Sequence, residues 1–406
     1  YKLHKAIYKQ YKHFFINQSY SFFFQLIRKT MSSNTKECLM KLLKRSKPYL
    51  AVIFLQFGFG GSAIIAKTAL NNGMSHYTFS VYRNLFAAVV FAPFAALLER
   101  KIRPKMTLSI FWKIMLLGLL EPVIDQNLYY AGMKYTTATF ATAMCNVLPA
   151  ITFLLAWILR LENVNVWKVS SQAKIIGTII TLGGATIMSL VGGPIIGLPW
   201  TKHHSNVPTT KNVVSPNELN PVKGAIFIAA GCFCWACFYN LQAITLKKYQ
   251  AGMSLTSLIC MSGALQGTAL TLLVQRGNFG IWSIKWGSSL FYASLYCGIV
   301  NSGIGYYVSG LIMNEKGPVF VTAFNPLNMV IVAILGSFIL SEQLNMGRVV
   351  GAAVIVVGLY LVIWGTSKDK NSTKIVSTKE NVESNNDKEL ADIKSSNQLV
   401  IGDESV

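Results

Sequence analysis

The sequence predicts an all-α membrane protein of ten transmembrane helices, built as two five-helix copies that cross the bilayer in opposite directions. Three observations carry that expectation. Of 406 residues, 52% are hydrophobic and only 13% charged, with a mean hydropathy of +0.43, far more apolar matter than a soluble core uses. Apolar runs of about 20 residues, the length that takes a helix across roughly 30 Å of hydrocarbon, recur from Pro48 to Gly365. The two halves of that region also repeat each other.

The chain divides into an extension at 1–47, a first repeat at 48–191, a linker at 192–223, a second repeat at 224–365 and a tail at 366–406. The extension holds no acidic residue before Glu37, is rich in Lys, Tyr and Phe, and is expected to stay outside the fold, with Met31 as the expected start of translation. A transit-type presequence is the competing reading, against which stand the scarcity of Arg and the run Phe22, Phe23, Phe24. Spans are expected at 48–70, 78–98, 110–133, 137–159 and 172–191, and again at 224–246, 254–274, 288–313, 318–340 and 347–364. The linker is rich in Pro, Asn, Thr and Ser, and the tail, rich in Lys, Glu, Asn and Ser, is expected to be disordered in the cytosol.

A formal charge of +21 raises the question of nucleic acid, but the basic residues gather at the ends of apolar runs rather than along one stripe. Lys41, Lys44, Arg45 and Lys47 precede the first span, Arg100, Lys101, Arg103 and Lys105 follow the second, Lys247 and Lys248 follow the sixth, and Lys368 and Lys370 follow the last. These loops are expected in the cytoplasm, which puts both termini there. Of the seven cysteines, Cys145, Cys232, Cys234, Cys237, Cys260 and Cys297 lie in spans, so no disulfide framework is expected. The Cys232, Cys234, Cys237 run sits among Phe, Trp and Ala and reads as packing, not as a metal site.

The repeat is the most informative pattern. Gly73-Met74-Ser75 recurs as Gly252-Met253-Ser254, and at an offset near 180 Gly118 matches Gly298, Met133 matches Met313, Thr142-Ala143 matches Thr322-Ala323, and Glu162 matches Glu342. Gly177 and Gly184 then match Gly351 and Gly358. Five crossings per copy is an odd number, so the second copy enters from the opposite side. Such inverted repeats can present two near-equivalent conformations with a solute site between them at mid-depth.

The segment from Glu121 through Pro122, Asp125, Gln126, Asn127, Tyr129 and Tyr130 to Tyr135, followed by Asn146-Val147-Leu148-Pro149, closely resembles the plant nodulin-like EamA transporters of the drug/metabolite transporter superfamily. Gly317-Pro318-Val319, Phe324-Asn325-Pro326-Leu327 and the run from Gly358 to Gly365 strengthen the resemblance. It implies two EamA repeats, a place in the plasma membrane or else the vacuolar membrane, and amino acids as solutes. Auxin, a nucleotide-sugar or another metabolite are alternatives that the fold permits equally.

Ionised groups at membrane depth are the natural place to look for function. Glu121 and Asp125 stand four residues apart on one helical face, and Arg83 in the second span reaches a depth like that of Asp125, so a structural pair of Arg83 with Asp125 is expected. Glu121 falls near the middle of its span, with Asn301 at the matching point of the eighth, and is a candidate for attracting a solute ammonium group or taking up a proton; a buried packing role stays open beside it. Gln126, Asn127, Asn146 and Asn325 are candidate lining residues, since amides can read both ends of a zwitterion. Pro122, Pro149 and Pro326 are candidate helix breaks, each removing a backbone donor. Gly58, Gly60 and Gly61 are expected to let helices approach closely, and Glu162 and Glu342 to anchor span ends.

No cofactor and no metal are expected. The five histidines lie outside the spans and no phosphate-binding loop appears, which argues against an enzyme. The expected partners are the lipid bilayer, a small solute and protons, without nucleic acid; a homodimer is left open. A non-transporting receptor, the alternative from another class, has no need of two inverted copies.

Overall fold

The computed structural model describes residues 33–71, 73–135, 145–161, 167–191, 195–196, 221–275, 279–283, 287–339, 344–366 and 368. The first 32 residues, nearly all of the linker and the tail, the early part of the fourth expected span, and Thr142, Ala143, Glu162 and Glu342 lie outside these.

Helix α1 (Ser33–Asn71) contains the first expected span and extends back into the stretch read as an extension. A turn at Gly73, whose φ of 90° suits glycine, leads into α2 (His76–Leu98). The third expected span is one rod in three parts: α3 (Leu108–Leu119), a π-helical segment (Leu120–Asp125) and α4 (Gln126–Tyr135). Helices α5 (Leu148–Ile158) and α6 (Val169–Leu190) complete the first half. The second half runs through α7 (Pro221–Lys248), α8 (Gly252–Val274) and a short 3-10 turn (Phe279–Trp282). The eighth expected span is again a rod in three parts, α9 (Ser289–Cys297), a π-helical segment (Gly298–Gly305) and α10 (Tyr306–Lys316). Helices α11 (Pro318–Ala323), α12 (Asn325–Ile339) and α13 (Met346–Thr366) follow.

Among the described residues six helices are long and apolar enough to cross a membrane by length and composition. They begin at Ser46, His76, Val222, Gly252, Pro318 and Met346. Large apolar side chains line their outer surfaces: Leu97 is 79% exposed, Phe54 69% and Tyr360 66%, as a lipid-facing surface requires. The only extended pairing among the described residues joins β1 (Ile195–Ile196) to β2 (Leu344–Asn345), with Ile195 opposite Asn345. It puts the start of the linker and the turn before α13 at one end of the bundle.

The π-helical segments have different local causes. Pro122 lacks the N–H that an α-helix would use and its ring crowds the preceding turn, so the helix widens there. The second segment has no proline; it carries Gly298, Gly303 and Gly305, which weaken the helix by leaving the backbone loose. In each segment a carbonyl accepts a bond from the neighbouring helix: Ser80 Oγ donates to the Pro122 oxygen at 2.9 Å, and Cys260 Sγ to the Ser302 oxygen at 3.8 Å.

Contacts between the halves run in matched pairs. Helices α2 and α8 pack antiparallel along their length, with Ser257 Oγ donating to the Ala88 oxygen and Gly267 against Val81. A Cβ on Gly118 would strike Ser262, and one on Gly298 would strike the Arg83 carbonyl. Helices α6 and α13 likewise cross antiparallel at glycines: a Cβ on Gly177 would come within 2.7 Å of the Gly358 oxygen, and one on Gly184 within 3.0 Å of the Gly351 oxygen. Gly58 and Gly60 of α1 meet Val300 and Ile331 in the same close fashion.

Candidate functional site

Helix α2 brings Arg83 to the first π-helical segment, where Arg83 Nη2 lies 3.4 Å from Glu121 Oε1. Both side chains are buried, Arg83 at 4% and Glu121 at 5% exposure. Gln126 Nε2 also lies 3.4 Å from Oε1, and Tyr306 of the second half donates its hydroxyl to Oε2. The carboxylate therefore has partners on both oxygens, drawn from three rods. Phe238 packs on Tyr306 with ring centroids 5.2 Å apart, adding an apolar wall from α7.

The sequence reading expected Arg83 to pair with Asp125; the structure pairs it with Glu121. Depth counted at 1.5 Å per residue treats the third span as a uniform α-helix, and the six-residue π-helical segment changes the rotation between the two acids. Asp125 instead points at α7, so close to Gly231 that a Cβ there would come within 2.9 Å of its Oδ1.

The other candidates separate into groups. Gln126 joins Glu121, whereas Asn127 Nδ2 turns back on its own helix to the Val123 oxygen at 2.6 Å, meeting a carbonyl beside the widened turn. Asn301 lies half-buried in the second π-helical segment, the place matching Glu121. Asn146 Nδ2 lies 2.8 Å from Met329 Sδ of α12. Pro149 stands in the first turn of α5 and Pro326 in that of α12, directly after half-buried Asn325, and both prolines line one small cleft with Thr178, Thr181 and Val362. Of the three prolines, only Pro122 adjoins the ion pair.

Sequence reasoning missed Tyr306. A signal was present: at the repeat offset of 180, Tyr306 matches Gln126, and each opens the helix after its π-helical segment. Both then bond the same carboxylate from opposite halves.

The two ends of the bundle differ around this pair. Near one end Tyr82 donates to the Trp282 oxygen at 2.6 Å and the Tyr82, Phe86 and Phe291 rings pack in series. At the opposite end, which carries Arg100, Lys101, Lys247 and Lys248, an open cleft has Tyr306 in its wall. Beside it Glu99 accepts the N–H groups of Met253 at 2.9 Å and Ser254 at 2.7 Å, joining the end of α2 to the start of α8.

Apolar helices packed at glycines around a buried charge pair, with an open cleft at one end, define a multi-pass membrane protein. The model of the EamA-like transporter family matches residues 46–190 and again residues 222–364, and the chain belongs to that family. It is 58% identical to a WAT1-related protein of Arabidopsis thaliana over 82% of this chain and 88% of that one. Two further WAT1-related proteins of Arabidopsis thaliana are 53% and 52% identical, each over 80% of this chain and 85% of theirs. Among solved structures, one crystal structure aligns with a TM-score of 0.59 over 80% of this chain and 97% of that chain; at 14% identity it speaks for the fold alone.

Proposed function

We propose that the chain carries amino acids across the plasma membrane by alternating access between two inverted five-helix repeats, with Arg83 and Glu121 as the solute site. The observation that carries this reading is the buried Arg83 and Glu121 pair, closed by Tyr306 from the other half. Separating two buried charges is costly unless each gains a new partner. An amino acid brings both partners at once, its carboxylate for Arg83 and its ammonium for Glu121. A simple organic acid such as auxin would satisfy Arg83 alone and leave Glu121 to be protonated, which makes proton coupling the signature of that alternative.

The antiparallel crossings of α2 with α8 and of α6 with α13 support inversion, because a helix meets its own counterpart head to tail only when the copies face opposite ways. The cluster of basic residues around the open cleft supports a cytoplasmic placement for that end and for both termini. Oocytes expressing the chain test the reading through efflux of injected, radiolabelled L-alanine, ethylamine and propionate. L-alanine should leave fastest, and Glu121→Gln should abolish at least nine-tenths of its efflux at equal surface level. Efflux of propionate alone, or equal L-alanine efflux from Glu121→Gln, would contradict the amino-acid reading.

A further inference from the structure

We propose, building on the carrier reading above, that the cleft at the basic end is a second, separate solute site, a vestibule that binds a protonated amine before it passes Tyr306 to Glu121. Its wall is formed by Glu99, Gln242, Gln250, Tyr306, Tyr307 and Asn314. Gln242 is 1% exposed, and its Nε2 donates to the Tyr306 backbone oxygen at 3.1 Å. A carbonyl can only accept, so that bond fixes which way the amide faces. The other end, Oε1, is buried with no donor on it, in a residue that lines the cleft. A buried acceptor without a partner is a standing cost to the fold and a ready gain for any donor that arrives.

The second acceptor is Glu99, half-buried in the same wall. Each of its carboxylate oxygens takes one backbone N–H of α8, and each has a further lone pair to offer. Among the six wall residues named above it is the one charged group, and its sign is negative although the surrounding end of the bundle is basic. An amide and a carboxylate in the wall of one cleft suit an ammonium head, which donates three bonds and carries the opposite charge. The path onward is also drawn: Tyr306 shares its backbone carbonyl with Gln242 and its hydroxyl with Glu121, so one residue borders both sites.

Purified full-length protein in detergent micelles tests this without transport. A cysteine at exposed Asn314 (Asn314→Cys) serves as the reporter, labelled by uncharged methyl methanethiosulfonate at constant potassium chloride, with the unmutated chain as background. Methylammonium and L-alanine should slow labelling and propionate at equal concentration should not. Adding Gln242→Leu should raise the concentration needed for half protection about tenfold, as loss of one hydrogen bond to a charged group predicts. Glu121→Gln should leave protection intact while losing flux, which keeps the two sites distinguishable. Protection by propionate as strong as by methylammonium, protection unchanged by Gln242→Leu, or no protection by any probe would overturn the vestibule. Normal protection in a chain that moves none of these solutes would overturn the carrier reading and leave the vestibule standing.

Discussion

Tyr306, from the second half of the chain, donates its hydroxyl to Glu121, from the first, and so makes the state of one carboxylate the common concern of both halves. Gln126, the residue that matches Tyr306 in the repeat, lies against the other oxygen of the same group. Under the proposed alternating access, a change in what Glu121 binds alters how the two halves are held together, which is the coupling that a rocking carrier needs.

Removing that hydroxyl should separate coupling from folding. Tyr306→Phe keeps the ring against Phe238 and leaves Glu121 with Arg83 and Gln126, so surface level and melting temperature should change little. Maximal L-alanine efflux should fall about tenfold, the scale of one hydrogen bond to a charged group. Efflux measured alongside surface biotinylation checks both parts.

The ion pair makes a stability prediction of its own. Arg83→Ala leaves Glu121 buried without its counter-charge, a loss of about 3–5 kcal/mol that should appear as poor yield and a lower melting temperature. Adding Glu121→Gln should recover at least half of that loss, whereas adding Asp125→Asn should not. Thermal unfolding of the purified single and double variants measures the difference.

Close glycine crossings predict a sharp contrast between near neighbours. A Cβ on Gly358 would run into the backbone of Thr181 and Gly177, while one on Gly183 meets nothing within 4 Å. Gly358→Ala should therefore destabilise by about 1–3 kcal/mol, the usual range for overpacking, and Gly183→Ala should be neutral or stabilising by up to about 1 kcal/mol. Comparing the melting temperatures of the two alanine variants is enough.

The sequence carried the membrane class and the repeat because both rest on patterns that survive in one dimension, apolar run length and residue order. It also pointed to Glu121, since a lone carboxylate beside Pro122 in an apolar run has few readings. It misassigned the partner of Arg83 because helix rotation was taken as uniform, and a π-helical segment is a local response to proline and glycine that periodicity does not report. Tyr306 and Gln242 stayed hidden for another reason. Each gains its meaning from a residue far along the chain, 185 positions away for Glu121 and 64 for the Gln242 to Tyr306 bond, and an aromatic or an amide in an apolar helix reads as packing until its neighbour is known.

The central claim, that the two halves cross the bilayer in opposite directions around one shared ion pair, is tested most directly by the sidedness of two matched turns. A short epitope inserted beside Gly73, and separately one beside Gln250, falls at exposed positions just before α2 and α8. Antibody added to intact cells should bind the tag at Gly73 and should reach the tag at Gln250 only after the cells are permeabilised. Binding of both tags from the same side would contradict the inverted arrangement and, with it, the alternating-access account.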